Sequence, residues 1–311
     1  MREKMSKKNN DLRRVVMPVY HFLQEHYLTF RLLVCLKEIG ITRRINFILS
    51  HKNDKNELMH PTTEMKEAKV FFEKNEVRVN NVVELLEDEI SKNVYKACIN
   101  YRINKKPIPS QMYMESNQYF VDEIFSIEEN EVFIDGGAYT GDTIQQFIDV
   151  ARKKKIKNYS VLAFEPSKKY YNLIARFFSK NTHVTVHKKG LSDVRKKVYF
   201  KENGATSKIA LDKSDATEVI ETISIDKEDE CQNVTYIKLD IEGEELNALK
   251  GARNVIQRNK PKLAICIYHS NEDMIRIAEY INELVPDYKI FVRHHSRSDV
   301  ETVLYAIVKD D

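Results

Sequence analysis

The sequence predicts an α/β protein: a seven-stranded, mostly parallel sheet with helices on both faces, preceded by a mainly helical extension. Two observations carry this. From about residue 129 onward, short apolar runs alternate with stretches of helical period, the pattern of a parallel sheet crossed by helices. In addition, three of the chain's eight glycines fall within residues 131–143, EVFIDGGAYTGDT, between an apolar run and a helical face. A chain this poor in glycine that gathers glycines in one place needs backbone shape there.

Residues 1–128 read as the helical extension and 129–311 as the sheet domain. The first fourteen residues carry six Lys or Arg against two Asp or Glu, a basic terminus with no apolar signal core directly after it. Residues 22–36 are apolar enough for a core helix, and 51–56 form a polar loop. Val83, Leu86, Ile90, Val94, Ala97 and Tyr101 keep a helical period over five turns. Pro107 and Pro109 then break the pattern.

In the second part, strands are expected at 132–135, 160–165, 184–187, 198–200, 219–225, 236–240, 263–268, 289–292 and 302–308. Helices are expected at 143–152, 168–178, 244–258 and 271–284. The first shows its buried face as Ile144, Phe147, Ile148 and Ala151, and the basic run after it suits a helix C-terminus. The last opens on Ser270 with Asp273 three places on, as a capping box does, and stops before Pro286. Ligands of such sheets bind beyond the carboxyl ends of the strands, where strand order reverses, so strand ends are where function is sought.

The glycine spacing is G-G-x-x-x-G, not the G-x-G-x-x-G that lays a helix N-terminus on a pyrophosphate. Asp142 opens the following helix, and an acid there repels a pyrophosphate but tolerates an ammonium or sulfonium. The arrangement of Asp135, Gly136, Gly137, Gly141, Asp142 and Thr143 looks like motif I of class I S-adenosylmethionine (SAM) methyltransferases. By that resemblance, Gly137 and Gly141 lie against the methionine part of SAM and Asp135 faces its ammonium group. Glu165 ends the second strand, thirty positions after Asp135, where an acid can accept both hydroxyls of a ribose. Ser192 and Asp193, in the turn after the third strand, are candidates for the adenine amine, though Gly-x-Ser-Asp is also ordinary turn chemistry.

The fourth strand and its turn read YIKLDIEGEELNALKGA. With FIDGGAYTGDT, AFEPS and the C-terminal VLYAIV, this closely resembles the FkbM family of SAM-dependent methyltransferases, over about residues 119–308. The family's K-x-D-x-E-G-x-E signature stands here as Lys238, Asp240, Glu242, Gly243 and Glu245. The resemblance implies a Rossmann-like class I methyltransferase that methylates a hydroxyl of a sugar, a glycan or a related natural product. A sugar hydroxyl is too weak an acid to ionise alone at neutral pH, so a base is expected beside it. The strand ends offer Asp240 and Glu242, then His269, then His294 and His295. His269 is favoured as base, with Asp240 orienting it or acting itself; Asp240 also borders the cofactor. Tyr119 and Phe120 are expected near the mouth of the site.

No dedicated metal motif is present, so no metal is assigned; Mg²⁺ held by Asp240, Glu242 and a histidine is possible but not favoured. A formal net charge of +3 gives no global field for nucleic acid, and no N/D-P-P-Y/F strand end or Pro-Cys nucleophile marks a base methyltransferase. No apolar run reaches the length of a membrane span. The four cysteines, Cys35, Cys98, Cys231 and Cys266, form no CxxC pair, which points to a reducing, cytoplasmic setting. The rival readings are a non-catalytic SAM-binding scaffold, a methyltransferase for another acceptor class, and a nicotinamide oxidoreductase that the glycine spacing disfavours.

Overall fold

The structure is a computed structural model, and it describes residues 62–114, 117–210, 212–296 and 298–308. The expected helix at 22–36 and loop at 51–56 lie outside the described residues. Among the described residues, three helices come first: α1 (Thr63–Lys74), α2 (Glu76–Leu85) and α3 (Glu89–Asn104). Then follow β1 (Glu131–Gly136), α4 (Asp142–Lys154), β2 (Tyr159–Phe164), α5 (Lys168–Phe177), β3 (Val184–His187) and β4 (Gly190–Leu191). Next come β5 (Lys196–Lys201), β6 (Lys208–Ile209), β7 (Glu218–Ile223), β8 (Tyr236–Leu239), α6 (Glu245–Gly251) and α7 (Arg253–Asn259). The chain closes with β9 (Lys262–Cys266), α8 (Asn271–Leu284), β10 (Lys289–His294) and β11 (Thr302–Ile307).

The main sheet has seven strands in the order β10-β11-β9-β8-β1-β2-β3. Pairings among β3, β2, β1, β8 and β9 are parallel; β11 runs antiparallel to both β9 and β10. The chain builds outward from β1 to β3, then returns to lay β8 on the other side of β1. Strand order therefore reverses between β1 and β8. Side chains alternate across the sheet, so neighbouring residues of one strand feed different cores. Ile134, Ile237, Ile265 and Leu304 join α6, α7, α8 and residues of α1–α3 on one face. Phe133, Tyr236, Ala264 and Tyr305 join α4, α5 and residues 119–127 on the other.

Three differences from the sequence reading have physical causes. The helical period across 83–101 is interrupted, because Asp88 takes an extended conformation and its side chain accepts the Ser91 N–H as an N-cap. The same carboxylate binds Arg293 of β10, and Leu86 bridges Ile290, so docking to the sheet edge fixes the break. The expected helix at 244–258 is two helices, α6 and α7, meeting at Ala252. The runs expected at 198–200 and 219–225 are strands, but they belong to a second sheet of order β4-β7-β5-β6. β5 and β7 pair antiparallel over five residue pairs, and their other edges are taken by β6 and β4, so neither has an edge left for the main sheet.

Candidate active site

β1 ends at Gly136, and the chain turns across the strand ends before α4 begins. Gly137 and Gly141 both have positive φ, 77° and 79°, where any side chain is strained. Space is closed there too. A Cβ on Gly137 would stand 1.9 Å from the Asp240 carbonyl oxygen, and one on Gly141 2.7 Å from Ile174 Cγ2. The glycines thus let the loop pass against the β8 turn and α5. Asp142 opens α4 and accepts from the Thr140 hydroxyl at 3.2 Å; Thr143 is buried in the first turn.

Asp135 is wholly buried, directly opposite Lys238 in the β1–β8 register. Lys238 Nζ donates to Asp135 Oδ1 at 2.9 Å and to the carbonyls of Gly136 and Gly137 at 3.0 Å each. One ammonium therefore clamps the glycine loop from below. Burial pushes the Asp135 carboxyl up, against the pull of Lys238, and Asp135 Oδ2 has no hydrogen-bond partner.

Glu165 follows β2 and is 6% exposed. Its oxygens accept the Tyr139 N–H at 2.9 Å and the Ser167 N–H at 2.8 Å. Burial still prevails over these bonds and pushes the carboxyl up to about 7. Ser192 is buried, with its carbonyl against Gly251, and Asp193 is exposed. Neither lines the cleft described below.

The end of β8 and the end of β9 bring the expected acids and histidine together. Asp240 Oδ2 accepts from the Tyr119 hydroxyl at 2.9 Å, and Oδ1 from the Tyr268 hydroxyl at 3.0 Å. His269 Nε2 lies 3.4 Å from Asp240 Oδ1 and 3.7 Å from Glu242 Oε1, and Nδ1 lies 3.1 Å from Glu245 Oε1. Glu245 folds the turn: its two oxygens accept the N–H groups of Ile241 and Gly243. Burial lowers the His269 pKa, but bonds and charge from Glu242, Glu245 and Asp240 outweigh it and push the imidazole up to about 11. Glu242 holds φ 58°, Tyr119 70° and Tyr139 44°. Non-glycine residues in this region are strained by about 1–3 kcal/mol each, and such strain gathers at functional sites.

An open cleft of about 640 Å³, counting the solvent at its mouth, runs along the glycine loop, Glu165 and the turn after β8. Gly137, Tyr139 and Glu165 line one side, Asp240, Ile241, Glu242 and Glu244 the end. The far wall is the small sheet and its loop, through Phe200, Ser207, Lys208, Ile209, Ile220 and Thr222. His294 and His295 stand apart from the acids: His294 bonds Thr302, and His295 bonds the Met114 carbonyl and the Tyr305 hydroxyl. Burial pushes both down to about 4, so they are neutral packing residues.

Residues 135–289 match the methyltransferase FkbM domain. The fold is similar to the crystal structure of methyltransferase FkbM from Methylobacillus flagellatus KT, at 27% identity and a TM-score of 0.63, over 76% of this chain and 60% of that one. The chain belongs to the FkbM methyltransferase family. It spans about three fifths of the length of that Methylobacillus relative. A SAM-dependent methyltransferase from Aquifex aeolicus aligns at 14% identity and a TM-score of 0.37, over 72% of this chain and all of that one. No curated protein matches.

In this FkbM domain several site groups escaped the sequence reading. Lys238 enters the sequence only as part of the signature, whereas in the structure its hydrogen bonds go to Asp135 and the glycine loop. The Tyr119 and Tyr268 hydroxyls hold Asp240, and Arg102 of α3 donates to the Tyr268 carbonyl and to Asn271 Oδ1. Phe120, expected at the mouth, is buried among Phe133, Phe147 and Tyr236. The small-sheet wall carried no motif that would have announced it.

Proposed function

We propose that this FkbM domain is a SAM-dependent O-methyltransferase acting on a hydroxyl of a sugar, a glycan or a related natural product. The observation that carries the reading is a single cleft with Glu165 on its side and Asp240 and Glu242 at its end. These residues fit SAM. Glu165 offers carboxylate lone pairs to a ribose diol, and the strand-end acids suit a cationic amino-acid portion. The unpartnered Asp135 Oδ2 behind the glycine loop leaves an acceptor for an ammonium, directly or through water.

SAM supplies a methyl carbon activated by its sulfonium. The chain's part is alignment and proton removal. Asp240, Glu242 and His269 form the group that receives the acceptor hydroxyl. His269 is held protonated by the carboxylates around it, so Asp240 is the proton acceptor, and the imidazolium 3.4 Å away orients it. The tyrosine hydroxyls on Asp240 keep that carboxylate from turning away. Arg102 and Tyr119 bring the segment before β1 into the site, which supports a role for it in shaping the acceptor pocket.

Among the described residues no helix is long and apolar enough to cross a membrane. Cys98, Cys231 and Cys266 are free and buried, in keeping with a reducing cytoplasmic setting. The test is turnover of methyl-labelled SAM on cell-envelope sugar fractions, with calorimetry of SAM, its demethylated product and NAD. Wild type should bind the first two and not NAD. His269→Ala and Asp240→Asn should lose about 10²–10⁴ in turnover, the usual share of a positioned acid–base group. Full turnover in both variants would remove the site assignment, and binding of NAD alone would remove the function.

A further inference from the structure

The electron pairs at the ends of β8 and β9 do not balance. The His269 side chain is only 8% exposed, and its two ring nitrogens face carboxylates alone. Neither nitrogen has a conventional hydrogen-bond partner. Glu245 is fixed first, because its oxygens are tied to the Ile241 and Gly243 N–H groups. It stands 3.1 Å from Nδ1, which makes it the nearest acceptor for a hydrogen there. A neutral imidazole with its hydrogen on Nδ1 carries a lone pair on Nε2. That lone pair points at Asp240 and Glu242, which when ionised offer only lone pairs themselves. Asp240 is pinned by two tyrosine hydroxyls, and the half-buried Glu242 carboxylate lies beside it. In a neutral ring, three electron-pair donors thus converge on one gap that calls for a positive centre; in the ring protonated by its carboxylate neighbours, the Nε2 proton is that centre and an ion must displace it.

We propose that this gap is a divalent metal site, with Asp240, Glu242 and His269 Nε2 as ligands and Glu245 orienting the imidazole. Binding of the ion follows from the geometry alone; its use in turnover rests on the methyltransferase reading above. The spacing fits. Ligand atoms about 2.1 Å from a metal lie ~3.4 Å apart at tetrahedral angles and ~3.6 Å apart at 120°. The imidazole nitrogen lies 3.4 Å and 3.7 Å from its two carboxylate neighbours, and all three donor atoms lie within 4.8 Å of one another. A carboxylate on the far nitrogen of a ligating histidine is the usual outer support of a metal site.

The donor set also narrows the ion. Two carboxylate oxygens suit Mg²⁺ or Mn²⁺, while an imidazole nitrogen moves preference toward the first-row transition ions. Mn²⁺ and Zn²⁺ satisfy both. Bound there, the ion takes the oxygen of the acceptor hydroxyl, a vicinal diol best of all, and lowers that hydroxyl's pKa. With the acids and His269 engaged as ligands, the proton passes to solvent water, which suffices once that pKa is lowered. The sequence held no metal motif because the ligands come from two strand ends that only the fold brings together.

The rival occupant is a proton shared between Nε2 and the two carboxylates. Mn²⁺ titrated into the full-length protein, followed by the electron paramagnetic resonance of free Mn²⁺, separates the two. One Mn²⁺ per chain is expected, with affinity at least 100-fold weaker in His269→Ala and Glu242→Gln, and 10–100-fold weaker in Glu245→Gln. Glu242 is partly exposed at the cleft, so its variant keeps the fold, checked by an unchanged melting temperature. Nuclear resonance of the His269 ring gives a second readout: Mn²⁺ should broaden it selectively. Uptake that is the same in all variants, or a ring signal that stays sharp with excess Mn²⁺, overturns the site. Calorimetry of SAM on chelator-treated protein distinguishes the two readings. SAM binding without Mn²⁺ uptake leaves the methyltransferase and removes the metal; Mn²⁺ uptake without SAM binding does the reverse.

Discussion

Replacing Glu165 with Gln should raise stability and lower cofactor affinity at the same time, each by an amount that follows from one shifted carboxyl. The folded protein holds this carboxyl at about 7 against a usual 4.5, because burial penalises its charge. A carboxyl raised on folding binds its proton more tightly in the fold than in the unfolded chain. Its stabilising contribution is therefore complete below pH 4.5 and is lost as pH rises through 7. A shift of roughly 2.5 units at about 1.4 kcal/mol each makes the loss on the order of 3 kcal/mol by pH 8. Gln carries no charge to desolvate, but it gives up one of the two acceptors for the Tyr139 and Ser167 N–H groups, about 1 kcal/mol. Glu165→Gln should thus be more stable than wild type by about 2 kcal/mol at pH 8 and no more stable at pH 5, read by thermal melting. Affinity moves the other way. Charge-assisted bonds from a ribose diol are worth about 1.5–3 kcal/mol, so SAM should bind the variant at least about tenfold more weakly. In wild type, the ionised fraction rises from about one tenth at pH 6 to nine tenths at pH 8, so SAM affinity should tighten about tenfold across that range. Calorimetry at pH 6, 7 and 8 reads this directly. A flat wild-type profile, or a variant that binds SAM as tightly as wild type, would refute the placing of Glu165 on the ribose.

Two further substitutions test the glycine loop and its support. Gly137→Ala puts a methyl group 1.9 Å from the Asp240 carbonyl at a φ of 77°. Left-handed backbone alone costs about 1–2 kcal/mol, and the overlap adds to it, so a loss of at least about 3 kcal/mol in urea denaturation is expected; a wild-type midpoint would contradict the loop geometry. Lys238→Met leaves Asp135 buried without its cation and should cost about 3–5 kcal/mol. Pairing it with Asp135→Asn should recover part of that loss, and a double variant no more stable than the single one would show that the pair is not the source.

Much of the fold was legible in the sequence because it rests on local pattern. The strand before the glycine loop shows its burial in Val132, Phe133 and Ile134, and α8 shows both its cap and its end. What escaped depends on partners that arrive from elsewhere in the chain. Residues 198–200 are a short apolar run between lysines, as in many strands, and nothing local says that this segment pairs with residues 218–222 and leaves the main sheet. Asp88 is tolerable on a helix face, so the period runs through it; only Arg293, reaching it from β10, turns it into a cap between two helices. Lys238 is the clearest case. Alternation along β8 puts Lys238 and Asp240 on the same side of the sheet, which makes them look like a pair from sequence alone. The parallel register instead sets Asp135 directly beside Lys238, and the loop carbonyls complete its coordination. That choice of partner has a consequence for chemistry. With the lysine engaged beneath the loop, no lysine or arginine among the described residues is bonded to Asp240 or Glu242, and the cation beside them is His269. An end of the cleft built that way favours a cation, whether sulfonium, ammonium or metal, and disfavours the pyrophosphate that the same fold holds in other glycine-loop proteins.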